Sequence, residues 1–266
     1  MDELNLLSLV FLVAMAFIAG LVDAAVGGGG LIQTPALFSA LPHHMPATLF
    51  GTNKLSSIFG TASAAFRYAR TVRIHWPVAL PAAIAALVAS FIGARLVAWL
   101  PVQYVKPLVL VMLVLIALYT MKKKDLGNVH APKHSKTMER WLAVATGIVI
   151  GFYDGFFGPG TGSFLTFAFV RFFGFDFLRA AATTKVVNCA TNLAALAYFI
   201  PSGNVLFAVG IPMAIANIAG AQVGTHVAMK GGTQLVRKLF LVLCWVLIAK
   251  FAWDMVRQFQ FEQVIP

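Results

Sequence analysis

The sequence predicts an all-α, polytopic integral membrane bundle of two inverted repeats, and three observations predict it. The 266 residues are 60% hydrophobic and 11% charged, with a mean hydropathy of +0.85, whereas about a quarter of residues are charged in soluble domains. Several apolar runs reach the roughly 20 residues that a helix needs to cross the hydrocarbon core of a bilayer. A constant shift of 131 positions superimposes the first half of the chain on the second without a gap.

The clearest apolar runs are 6–26, 77–100, 105–121, 141–157, 180–200, 205–229 and 235–256. None shows the sustained period-two alternation of a barrel strand, and only helices or closed barrels satisfy every backbone group in lipid, so each reads as helix. The chain opens Met1-Asp2-Glu3 with no basic n-region or small-residue cleavage site, so 6–26 is expected to be retained as a helix. Gly27-Gly28-Gly29-Gly30 follows, and the helix should unwind there, because each glycine costs roughly 1 kcal/mol relative to alanine. Next comes a short segment, 31–41, whose counterpart 163–173 follows Gly158-Pro159-Gly160-Thr161-Gly162. Eleven helical residues rise only about 16 Å, so each is a foreshortened span or a broken half-helix.

The duplication is carried by residues that are scarce in so apolar a chain. Gly20 meets Gly151, Asp23 meets Asp154, Thr52 and Lys54 meet Thr183 and Lys185, Pro81 meets Pro212, Gly93 meets Gly224, and Gln103 meets Gln234. Each half shows about five hydrophobic segments, giving 8–10 transmembrane segments, and charge decides how the halves are related. With five crossings per half and the N-terminus outside, the inside receives Arg67, Arg70, Arg73, the basic stretch Lys122 to Arg140, Arg171, Arg179, Lys230, Arg237 and Lys238. The outside then holds Arg95, Lys106 and Arg257, as the positive-inside rule requires. Four crossings per half would split the charge far more evenly, which favours inverted over parallel repeats. The expected organisation is repeat 1 at 1–121, a basic cytoplasmic linker at 122–140 and repeat 2 at 141–266, in the cell inner membrane with both termini outside.

Other function classes fit poorly. The net charge of +11 lies in short loops between apolar runs, not on one soluble face, so topology explains it better than nucleic-acid binding. Cys189 and Cys244 both sit in apolar segments, which argues against a disulfide framework or thiolate metal site. His43, His44 and His226 lack the spacing of a metal motif. No nucleophile and base suggest an intramembrane enzyme, and no cofactor is expected. Membrane lipids and a small-molecule substrate are the expected partners, with homo-oligomer formation left open.

The residues expected to carry function are those that hydrocarbon excludes. Lys54 and Lys185 are repeat mates, and inverted repeats would set them facing one another near mid-membrane as an anion site. Asn53, Thr184 and Asn188 would add donors. Gly28, Gly29, Gly30, Gly160, Thr161 and Gly162 would offer backbone N–H groups at the positive ends of helices restarting at Leu31 and Ser163. Asp23 and Asp154 either accept a proton or pair with Lys54 or Lys185 and organise the site, and pairing is favoured. Helix–helix hydrogen bonding accounts for Asn192 as well as a polar lining does.

The stretches 19–31 (AGLVDAAVGGGGL), 52–54 (TNK) and 151–163 (GFYDGFFGPGTGS) resemble the sulfite exporter TauE/SafE family over nearly the whole chain. The resemblance implies a multi-pass inner-membrane transporter, associated in parts of that family with sulfite, sulfoacetate, thiosulfate or related organosulfonates. The expected mechanism is alternating access between the two repeats, an anion channel or a carrier of a small carboxylate being the alternatives.

Overall fold

The computed structural model describes residues 5–97 and 135–231, together with single positions at 111, 114, 115, 118, 242, 245, 249 and 253. These residues form two sets of four helices. The first set is α1 (Leu6–Val26), α2 (Gly30–Ala40), α3 (Pro46–Thr71) and α4 (Trp76–Val97). The second is α5 (Lys136–Phe156), α6 (Thr161–Arg171), α7 (Phe177–Phe199) and α8 (Phe207–Met229). The shift of 131 carries the starts of α2, α3 and α4 onto those of α6, α7 and α8. The segments expected at 105–121 and 235–256, and most of the linker expected at 122–140, lie outside the described residues. Residues 136–140 are not linker but the opening of α5. Ser135 caps that helix, its hydroxyl accepting from the Met138 N–H at 3.4 Å, and Glu139 sits in the first turn, where the helix dipole favours a carboxylate.

The short elements are broken half-helices of 11 residues each. They restart slightly ahead of the expected positions, at Gly30 and Thr161. At the breaks the backbone takes positive φ, 76° at Gly27 and 90° and 86° at Gly158 and Gly160, which residues with a Cβ adopt only at a cost.

The two sets interlock. α1 packs on α8 and α4 on α5, so the first helix of each set lies against the last helix of the other. α3 and α7 pack together in the middle and also contact α8 and α4 respectively. They run antiparallel. The Thr48 hydroxyl donates to Asn204 Oδ1 at 3.1 Å and the Leu206 N–H donates to Thr52 Oγ1 at 2.9 Å, joining the start of α3 to the chain just past the end of α7. At the opposite end Tyr68 packs with Ala181 and Ala182 near the start of α7.

Polarity is arranged as lipid demands. Leu80, Ile84 and Val88 on α4, Val149 on α5, and Ile211 and Ile215 on α8 are each more than half exposed, while Lys54, Asp154, Lys185, Thr191 and Asn192 are buried. A soluble domain has the reverse distribution. By length and composition α1, α4 and α8 can each cross a membrane. α3 and α7 are less apolar because they carry the polar interior. The chain is therefore an all-α polytopic membrane bundle.

Small residues let the sets approach. A Cβ at Gly20 would collide with the Asn217 carbonyl of α8, and one at its counterpart Gly151 with Ala86 of α4. Gly155 lies in the same way against the Ser90 carbonyl and Gly224 against that of Leu21. In hydrocarbon, where burial of apolar surface gives no drive for helices to associate, such contacts supply the dispersion energy that holds them. The sets have also diverged. On the α3–α8 contact Arg67 donates to Gln222 Oε1 at 2.6 Å and Gln222 donates to Ser63, whereas the counterparts of Arg67 and Gln222, Tyr198 and Phe91, form an edge-on ring pair at 6.1 Å.

Gly155→Leu should therefore force α5 off α4, costing about 2 kcal/mol or more and lowering the melting temperature of detergent-purified protein by roughly 4–8 °C. Ser202→Ala, on an exposed turn, should leave it nearly unchanged, and equal effects would contradict the packing role.

Candidate functional site

The two glycine breaks meet at the centre of the bundle. Gly27 lies against Gly162, Gly30 against Pro159, and the Ser163 hydroxyl donates to the Gly27 carbonyl. Tyrosines brace the flanks. Tyr68 donates to the Ala24 carbonyl at 2.9 Å beside the first break, and Tyr153 to the Pro159 carbonyl at 2.5 Å within the second.

Beside the breaks lies a small, partly open polar cavity of about 20 Å³. From α3 it is lined by Asn53, Lys54, Ser57 and Thr61, and from α7 by Asn188 and Asn192. Helical spacing explains the lining, because steps of four residues keep Asn53, Ser57 and Thr61 on one face of α3 and Asn188 and Asn192 on one face of α7. The backbone of Gly28, Gly30, Gly158, Gly160, Thr161 and Gly162 closes the remainder, with Asp23 and Asp154 at its edge. The Asn53 carboxamide oxygen is buried with no hydrogen-bond partner among the described residues.

Asp23 and Asp154 each pair with a lysine of the other set. Lys54 Nζ lies 2.7 Å from Asp154 Oδ2 and Lys185 Nζ lies 2.7 Å from Asp23 Oδ2. The lysine side chains are 4% and 1% exposed, so neither charge is relieved by water. Two unpaired cations at this depth would each carry a desolvation penalty of several kcal/mol, which a carboxylate within contact distance offsets.

Of the residues expected at the site, Asn53, Lys54, Asn188, Gly28, Gly30, Gly160, Thr161, Gly162, Asp23 and Asp154 line the cavity, and Gly29, Thr184 and Lys185 do not. Gly29 turns its N–H to Asp23 Oδ1 at 3.3 Å, Lys185 is taken up by Asp23, and the Thr184 hydroxyl lies 3.1 Å from that of Thr166. Thr52 and Thr183 point away too, donating to the carbonyls four residues back, Thr48 and Arg179. Ser57 and Thr61 were missed. The repeat itself signals them, since they are the counterparts of Asn188 and Asn192. Among the described residues no three His, Cys, Asp or Glu side chains are grouped to hold a metal ion, and His43 and His226 are exposed.

Known proteins share this chain's pattern along its length. Residues 12–251 match the family described as Sulfite exporter TauE/SafE. The chain is 37% identical to a probable membrane transporter protein, ORF9, of Sinorhizobium sp, over 96% of each chain. It is 34% identical to a probable membrane transporter protein of Haemophilus influenzae, over 94% of this chain and 96% of the other. With the probable membrane transporter protein YfcA of Escherichia coli K12 the identity is 32%, over 94% of this chain and 90% of the other. No solved structure matches it. A match spanning nearly all of a chain that folds into this polar-centred membrane bundle makes it a member of the sulfite exporter TauE/SafE family.

Proposed function

We propose that the protein is a secondary transporter that carries a small anion across the inner membrane by alternating access, and that the anion is a sulfur oxyanion or organosulfonate. The observation that carries the reading is the small polar cavity, closed by two unwound backbone breaks and holding a buried lysine and a carboxamide oxygen without a partner among the described residues, inside a bundle with an apolar exterior. Irregular backbone at membrane depth is tolerated where it lines such a cavity, and transporters bind substrate between repeats at broken helices. Lys54, Asn53, Asn188 and the backbone of the 28–30 and 160–162 breaks would hold the anion, with Lys185 and Asp23 bracing the site. Membership of the sulfite exporter family favours sulfite and its chemical relatives among anions.

Inverted topology is part of the proposal. The antiparallel α3 and α7 are repeat mates, which is the relation that inversion requires. One end of the bundle gathers Arg70, Arg73, Lys136, Arg140, Arg179 and Lys230, with the starts of α4 and α5 joined there by His75 and Glu139 at 3.7 Å. At the other end the turns 41–45 and 200–206 contain no lysine or arginine. The positive-inside rule puts the basic end in the cytoplasm and the N-terminus outside.

In a chain with its native cysteines replaced by alanine, an impermeant thiol reagent added outside intact cells should label Ser202→Cys and spare Thr71→Cys until the membrane is opened. The reverse pattern would overturn the orientation. Lys54→Ala should abolish uptake or release of sulfite, thiosulfate or sulfoacetate in proteoliposomes, and should also destabilise the protein by about 3–5 kcal/mol by stranding Asp154. Lys54→Met combined with Asp154→Leu removes both charges, so it should recover stability without recovering transport. Transport by that double variant at the parent rate would sink the role assigned to Lys54.

A further inference from the structure

The two ion pairs are repeat mates, yet they are built differently. Asp23 is held on every side: Oδ1 accepts the Gly28 and Gly29 N–H groups at 3.1 and 3.3 Å. Its Oδ2 accepts the Lys185 ammonium at 2.7 Å and faces the Thr61 hydroxyl at 3.5 Å, and Lys185 also donates to the Asp23 carbonyl. Among the described residues Asp154 is paired with Lys54 alone. Its Oδ2 lies 2.7 Å from the ammonium without the directed geometry of a hydrogen bond, and no other donor reaches the carboxylate among the described residues. The sequence supplies the cause. The counterpart of Gly28 is Pro159, which has no N–H to give, and the counterpart of Gly29, Gly160, sits at φ 86° instead of −54°.

We propose that Asp23–Lys185 is a fixed clamp, whereas Asp154–Lys54 opens to admit the anion, Asp154 taking up one proton as Lys54 and Asn53 turn to the substrate. The inference rests on the anion-transport reading. Charge balance supports it, since the closed site is neutral. A monovalent anion arriving alone would leave it at −1 in a medium that penalises uncompensated charge. An anion arriving with one proton restores neutrality: the proton bonds to a carboxylate oxygen of Asp154, Lys54 remains an ammonium, and the anion replaces the carboxylate as its counter-ion.

The donors set the two apart, because moving the Asp23 carboxylate would break its hydrogen bonds to the Gly28 and Gly29 N–H groups and the Thr61 hydroxyl besides that to its lysine. Few other groups compete for the proton at Asp154. α3 presents Lys54, and α7 presents Lys185 and Cys189, the former engaged by Asp23. Tyr153, on the same helix, is bonded to the Pro159 carbonyl. The charged residues of α4 and α6, Arg95 and Arg171, are on the exposed surface, and across the cavity α1 offers only Asp23.

The test is calorimetric binding of thiosulfate, sulfoacetate and isethionate to the detergent-purified full chain between about pH 5 and 8, in two buffers of different ionisation enthalpy. Parent protein should take up close to one proton with isethionate, the monovalent member of the three, with affinity rising up to about tenfold for each unit of falling pH. Asp154→Asn should bind without proton uptake and with a flat pH profile. Should Asp154→Asn fail to fold, Pro159→Gly serves in its place, because the restored N–H should shift the proton-linked rise in affinity to lower pH. Isethionate binding by the parent without proton uptake, persistence of uptake in Asp154→Asn, or an unshifted Pro159→Gly profile would overturn this inference and leave anion transport standing. Failure of all three anions to bind at any pH would overturn the transport reading and this one with it.

Discussion

Two lysine–aspartate pairs, each joining the first helix of one repeat to the third helix of the other, are the constraint around which the bundle is organised. Ionised groups at hydrocarbon depth are tolerated only with partners, and here neither repeat contains a complete pair of its own. The repeats must therefore assemble for either charge to be neutralised. That requirement fixes their register at the centre more tightly than apolar packing could, because lipid competes for apolar contacts and cannot compete for a buried ammonium.

Bringing these groups into range needs backbones that approach closely. Gly20, Gly151, Gly155 and Gly224 allow the outer pairs α1–α8 and α4–α5 to pack with main chain against main chain. The breaks after α1 and α5 then do two things at once. They end the two helices three and two residues beyond their aspartates, and they let the chain double back as a short helix whose first turn faces the cavity. A continuous helix would have filled that space with side chains.

Much of this was legible in the sequence, and the part that was not has a clear cause. Helices α1, α4, α5, α7 and α8 follow the apolar runs, α2 and α6 follow the glycine clusters, and α3, which no apolar run marked, matches α7 under the shift of 131. Lys54, Lys185, Asp23 and Asp154 stand out because lipid makes ionisable residues rare. Their partnership across repeats does not follow from spacing, since it depends on which helix of one repeat lies beside which helix of the other. Thr184 illustrates the limit. It is the counterpart of Asn53, yet its hydroxyl turns to Thr166, a contact set by the packing of α6 on α7. Ser57 and Thr61 were readable only through Asn188 and Asn192, because a lone hydroxyl in a helix usually bonds back to its own backbone.

The reciprocal packing of first helix on last helix bears on how such a chain could have arisen. Each surface that one repeat offers is met by the corresponding surface of the other, the self-complementarity found in isologous dimers. A half-length ancestor able to insert in both orientations would have formed the same bundle from two identical copies, with two identical ion pairs. Within one chain the halves are not equivalent: Pro159 stands in one break where the other has Gly28. Under the inverted topology proposed above, that difference would give the protein a direction: an antiparallel pair of identical subunits is the same viewed from either side of the membrane, and two unequal halves are not.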